Sequence, residues 1–270
     1  MFNLRNIILL TLAIAFSSGI LAGDYEDGQA AYSRKDYANA IIKFKRAAEK
    51  NNADAQMHLG NMYDNGLGVK QDQVEAMRWY RLAAAQGNAL GQTFLGIMYN
   101  DGKVVVQDYA EAVRWYKLAA AQGDIDAQKN LGYMYSSGQG VVQDYAEAVR
   151  WYKLAAAQGH ANAQFNLALK YDNGQGVTQD YAEAVRWYKL AAAQGVAQAQ
   201  YNIGVMYDKG QGVAQDYTRA HMWFNLAAVK GDSDAVKNRD IVAKRMTSQQ
   251  IEEAQKLARE CQARNFKNCD

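Results

Sequence analysis

The sequence predicts an all-α chain built as a right-handed α-solenoid of helix-turn-helix units, each 36 residues long. Three observations carry that prediction. Trp79, Trp115, Trp151, Trp187 and Trp223 recur every 36 residues, and Gly87, Gly123, Gly159, Gly195 and Gly231 keep the same spacing. The stretch from Gln107 to Gly123 returns unchanged at Gln143 to Gly159 and at Gln179 to Gly195, which marks internal duplication. The composition has no proline in 270 residues and is rich in Ala, Leu, Met, Arg, Lys, Gln and Glu, so it favours helix throughout.

Residues 1–23 read as an export leader. Arg5 precedes an apolar and hydroxyl run, Ile7 to Phe16, too short to span a bilayer comfortably, and Ala22 offers a small residue for cleavage. An uncleaved anchor is the alternative; after cleavage no membrane insertion is expected. Residues 24–52 read as an N-terminal capping half-repeat, in which Asp36 to Lys50 aligns with the second helix of a unit but carries Lys43 where the others carry Trp.

Five units follow, at 53–88, 89–124, 125–160, 161–196 and 197–231. In the first, Ala53 to Tyr63 reads as helix A, with Ala55, Leu59, Gly60 and Tyr63 on one face. Gly60 and its equivalents Gly96, Gly132, Ala168 and Gly204 are small, as a close backbone crossing requires. The segment Asn65-Gly66-Leu67-Gly68-Val69 ends helix A, because glycine accepts positive φ. Asp72 then caps helix B, with Glu75 three residues on in a capping-box arrangement that recurs at Asp108/Glu111, Asp144/Glu147 and Asp180/Glu183. Trp79, Leu82 and Ala83 form an apolar face that neighbouring helices must cover, and Gly87 stops the helix. Residues 232–270 close the array: Asp232 to Lys244 resembles a helix A, and Thr247 with Gln250 opens a last helix to about Arg264.

The unit Ala-x-Ala-Gln-x-x-Leu-Gly-x-Met-Tyr, Asn-Gly-x-Gly-Val, Asp-Tyr-x-x-Ala-x-x-Trp-Tyr-x-x-Ala-Ala-x-x-Gly resembles the Sel-1-like repeat, a relative of the tetratricopeptide repeat. The resemblance covers residues 53–231, and Met246 to Cys269 is similar to the C-terminal helix of bacterial members. Where the family often has Pro after the loop, this chain has Lys70, Val106, Val142, Thr178 or Ala214. Val104 replaces the second loop glycine of the second unit, so that loop is expected to differ. The resemblance implies an adaptor that assembles other proteins. A cysteine-rich branch linked to β-lactams fits poorly, since the repeats contain no cysteine.

Little here points to chemistry. The 30 basic and 28 acidic side chains interleave, without the stripe that nucleic acid requires. His58, His160 and His221 are scattered, no nucleophile and base pair up, and neither metal nor cofactor is expected. The Asp/Glu pairs are explained by capping and the tryptophans by packing. Cys261 and Cys269 are expected to join in a disulfide that pins the tail, as an exported compartment permits.

A binding surface should lie where the copies differ, because repeated positions do shared structural work. In tetratricopeptide-like arrays helix A lines the concave face. One variable column there runs Met57, Thr93, Lys129, Phe165 and Tyr201, and another, four residues on, runs Asn61, Ile97, Tyr133, Leu169 and Val205. This mixed stripe suits a protein or peptide partner in the periplasm or outside the cell. The competing reading is that the stripe packs helix A against its neighbour; an envelope hydrolase and a structural spacer are the alternative functions.

Overall fold

The structure, a computed structural model, describes residues 23–267 and Cys269, and these residues form fourteen helices and no strand. The expected leader lies outside the described residues, Gly23 apart. The helices run in pairs: α1 (23–33) and α2 (Tyr37–Glu49), α3 (Ala53–Asn65) and α4 (Gln73–Ala85), α5 (Ala89–Asp101) and α6 (Tyr109–Ala121). Then come α7 (Ile125–Ser137) and α8 (Tyr145–Ala157), α9 (Ala161–Asn173) and α10 (Tyr181–Ala192), α11 (Ala197–Lys209) and α12 (Tyr217–Val229), and finally α13 (Ser233–Ala243) and α14 (Ser248–Ala263). The chain is an α-solenoid, and it divides into two compact units, Met1–Ala127 and Gln128–Asp270. Within each, consecutive helices pack on one another.

The N-terminal cap is corrected from a half-repeat to a whole helix pair. Its turn is only residues 34–36, with Lys35 at φ 61° in place of a glycine loop, so the shortened pair escapes a search at period 36.

The capping box at the start of helix B is also corrected. Asp72 accepts from the amides of Val74 and Glu75, but its own amide already donates to the Tyr63 carbonyl at 2.9 Å. Glu75 therefore has no amide to reach back to, and it pairs instead with Arg78 at 2.7 and 3.0 Å. The same arrangement recurs where Asp108, Asp144 and Asp180 donate to Tyr99, Tyr135 and Tyr171, and Glu111, Glu147 and Glu183 hold Arg114, Arg150 and Arg186. These pairs are exposed and each contributes about 0.3–0.5 kcal/mol. Thr247 and Gln250 do form a complete capping box.

Gly60 makes room for a ring and not for a backbone. A Cβ there would lie 2.5 Å from the Tyr80 ring, and Gly96 stands in the same relation to Tyr116, Gly132 to Tyr152 and Gly204 to Phe224. Helix A thus lies flush on an aromatic ring of its own helix B, and Tyr80, Tyr116, Tyr152, Tyr188 and Phe224 are among the most completely buried side chains. Each such ring stabilises the fold by roughly 1.5–3 kcal/mol through burial. The neighbouring Trp packs backward, Trp79 onto the core of α1–α3 and Trp115 onto that of α4 and α5, beneath a guanidinium 4.3 Å and 4.9 Å from the ring. Leu82, expected on the covered face, is 40% exposed.

Buried glutamines fasten each pair to the previous one. Gln56 donates to the Ala48 carbonyl at the end of α2, and Gln92 and Gln164 do the same to Ala84 and Ala156. The loops are held by a second set, in which Gln71, Gln107, Gln143, Gln179 and Gln215 donate to carbonyls near the end of helix A at 2.6–2.9 Å. In the loop after α5, Val104 does not take the positive φ that Gly68 takes, 71°. At the other end Cys261 and Cys269 form a disulfide, with Cα atoms 5.0 Å apart.

Candidate interaction surface

Two of the ten stripe residues are buried. Met57 and Thr93 are 8% and 3% exposed, and the Thr93 hydroxyl donates to the Asp124 carboxylate at 2.9 Å. These two are corrected from partner-facing to structural, because Met57 is covered by packing and Thr93 is tied to Asp124, just before the helix that opens the next pair. The others are reached to different degrees. In the first compact unit, Asn61 accepts from the Tyr32 hydroxyl at 3.1 Å and Ile97 is half-buried.

In the second compact unit, Phe165 tilts against Tyr188 at 5.9 Å, and Tyr201 against Phe224 at 5.6 Å while its hydroxyl accepts from Asn238. Leu169 and Val205 also rest on the core of that unit. Lys129 is half-buried and donates to Asn130. Tyr133 is the most open of the ten, 50% exposed. Most of the stripe is therefore partly covered by packing, and Tyr133 and its half-buried neighbours keep exposed surface.

The histidines are engaged structurally. His58 stacks on Phe44 at 4.7 Å with rings 6° apart, His160 accepts from the Ala163 amide at the start of α9, and His221 is 4% exposed beside Arg239 and Asp240. Burial pushes the hydroxyls of Tyr80, Tyr116, Tyr152 and Tyr188 upward, which keeps them neutral. Among the described residues no group of three His, Cys, Asp or Glu side chains can hold a metal ion, and no helix is long and apolar enough to cross a membrane.

Among the exposed apolar side chains that sequence reasoning missed are Leu90 and Val74. Leu90 is 44% exposed in a column otherwise held by Asp54, Asp126, Asn162 and Gln198. Val74 is 71% exposed in a column held by Ala110, Ala146, Ala182 and Thr218. The signal was present in both cases, as an apolar residue where the other copies carry a polar or small one.

The comparisons agree with this architecture. The Sel1 repeat model matches residues 20–52, 53–88, 89–124, 125–160, 161–196 and 197–232, so the first helix pair is matched as well. A protective antigen of uropathogenic Escherichia coli with an SLR fold is 33% identical, with a TM-score of 0.84 over 93% of this chain. This chain spans 56% of the length of that protein. A Sel1 repeat protein from Oxalobacter formigenes is 35% identical, with a TM-score of 0.73 over 79% of this chain and 88% of its own. The comparison with curated proteins returns no match. With six tandem matches across helix pairs that share one packing scheme, the chain belongs to the Sel1 repeat family.

Proposed function

We propose that this protein is an exported, non-enzymatic scaffold that binds a protein or peptide on its helix A surface, in envelope signalling, envelope assembly or host interaction. Sel1 repeat proteins are generally protein–protein interaction scaffolds, and that is the common ground for the finer reading. The observation that carries it is Tyr133. An aromatic side chain left half-exposed on helix A, in a column that varies from copy to copy, has the character of an interface anchor. The residues that hold the helix pairs together are repeated, whereas this column is not. Export is supported by the sequence of residues 1–23 and by the disulfide between Cys261 and Cys269.

The test is photo-cross-linking from position 133 in the envelope fraction, with a cross-linker placed at Lys153 on α8 as control. A partner captured from 133 and not from 153, and lost on competition with unlabelled protein but not with its Tyr133→Ala variant, is the expected result. Equal capture from both positions would remove helix A from the proposal. The mass of the mature chain checks export, with cleavage near residue 22 or 23 expected.

A further inference from the structure

Two departures from the repeat consensus in the first compact unit, Met1–Ala127, lie side by side. Helix α4 begins Gln73-Val74 where α6, α8 and α10 begin Tyr-Ala, and the loop that follows α5 reads Lys103-Val104-Val105-Val106 where the others hold a second glycine. These two irregular segments face each other. Between them lie two adjoining hollows of about 420 and 400 Å³, the first lined by Gln71, Gln73, Val74, Lys103 and Val104. Val74, Met77, Leu82, Val104 and Val105 line the second together with Arg78 and Arg81.

The irregularity explains the opening. At the preceding turn Gly68 lies against the Tyr37 backbone, where a Cβ would come within 2.5 Å of the carbonyl oxygen. A valine at the equivalent position 104 cannot approach so closely, and no tyrosine stands at 73 to close the gap. Val74, 71% exposed where the other copies carry Ala or Thr, here adjoins Leu82 at 40% and, just beyond, Val106 at 90%, whose exposure recurs in other repeats at Leu118, Leu154 and Val142, and together they form an uncovered apolar floor. Such a patch marks an interaction site more often than a scattered aliphatic does.

The charged side chains that line the hollows have one sign. Lys103, Arg78 and Arg81 line the hollows and no carboxylate does. Lys103 is paired with Asp101 at 3.4 Å and Arg78 with Glu75, whereas the Arg81 guanidinium donates to the neutral Tyr99 hydroxyl, at 3.2 Å. We infer that the groove formed by the start of α4 and the 103–106 loop docks an extended peptide segment of aliphatic side chains, with a carboxylate received by Arg81. A bidentate guanidinium–carboxylate contact would fix its register, while the valines supply the burial. This groove shares no residue with the helix A stripe and does not depend on the reading of helix A.

The experiment uses the full chain and fluorescein-labelled decapeptide pools in which aliphatic residues alternate with Asp or Glu, with Asn or Gln, or with Lys. Fluorescence anisotropy is expected to show the acidic pool binding about tenfold more tightly than the amide pool, and the basic pool not at all. Val74→Asp, at a site exposed enough to leave the fold intact by circular dichroism, is expected to weaken the acidic pool at least about tenfold. Arg81→Gln is expected to bring the acidic and amide pools together, and Tyr133→Ala to change neither. Equal binding of the acidic and amide pools by the unmodified chain, or no loss with Val74→Asp, would overturn the inference. So would Val74-dependent self-association in sedimentation without peptide preference, which would assign the groove to a second copy.

Discussion

The side-chain amide of Gln86 donates to the buried Oε1 of Gln56 at 2.7 Å, joining the end of a helix B to the start of its own helix A. The link recurs from Gln122 to Gln92, Gln158 to Gln128 and Gln194 to Gln164, at 2.8–2.9 Å. In the last repeat the donor position holds Lys230, whose ammonium lies 5.3 Å from the Phe266 ring, and the Oε1 of the fully buried Gln200 has no hydrogen-bond partner.

Lys230→Gln is therefore expected to stabilise the protein by about 1 kcal/mol. Satisfying a buried acceptor is worth about 1–3 kcal/mol, and losing an exposed cation–π contact offsets about 0.5–1 of it. Urea unfolding monitored by circular dichroism measures the change, and an unshifted midpoint would show that Lys230 itself reaches Gln200 in solution.

Lys170 stands in a core column otherwise occupied by Met62, Met98, Met134 and Met206. It is 8% exposed, with its ammonium 4.4 Å from the Tyr145 ring and bonded to Gln175 at 2.9 Å, and burial holds its pKa below the usual 10.5. Lys170→Met is expected to stabilise the fold by about 1–3 kcal/mol, because no carboxylate answers the buried charge. The linkage has a definite sign: with the folded pKa depressed, the unfolded chain holds the proton longer, so stability rises as pH climbs from the folded pKa toward 10.5. Thermal unfolding between pH 8 and 10.5 should show that rise in the native protein and lose it in the variant.

Two glycines separate steric from conformational cost. Gly68 has φ 71° and meets the Tyr37 carbonyl, whereas Gly87 has φ 88° with nothing near its absent Cβ. Gly87→Ala is expected to cost about 1 kcal/mol from φ alone, and Gly68→Ala about 2 kcal/mol or more, because backbone must move as well. Equal losses in a denaturation series would mean that the turn after α3 yields without resistance.

His221 and His58 make the protein acid-sensitive. Burial, with the Arg239 charge adding to it, holds His221 below the ordinary 6.5, and burial does the same to His58 against the opposing pull of Asp54. Both depressed groups contribute stability present above pH 6.5 and lost as pH falls through their lower folded values, since the unfolded chain is protonated first. His221→Leu should flatten the slope of unfolding free energy below pH 6.5 without removing it, because His58 remains. An unchanged slope would show that His221 is protonated in place.

The period of 36 residues, the helix boundaries and the capping aspartates were legible because they depend on local propensity and on repetition along the chain. The candidate surface was less so. Met57 and Thr93 occupy the same column as Lys129, yet they are buried and Lys129 is not, and the spacing along one helix does not reveal what covers it. The role of Glu75 was likewise hidden, because the amide it should have answered is taken by a carbonyl nine residues earlier, at Tyr63.

By itself, then, the sequence determined an all-α solenoid of repeated helix pairs, since periodic apolar residues, caps and helix-ending glycines act within a few residues of one another. Tertiary structure alone decided that Tyr80 and not Trp79 fills the space over Gly60, that Gln56 is bonded at both ends, and that Tyr133 and Val74 stay exposed. Those outcomes depend on which helix faces meet across tens of residues, and packing at that range is set by the fit of side chains in three dimensions, which no spacing along the chain encodes.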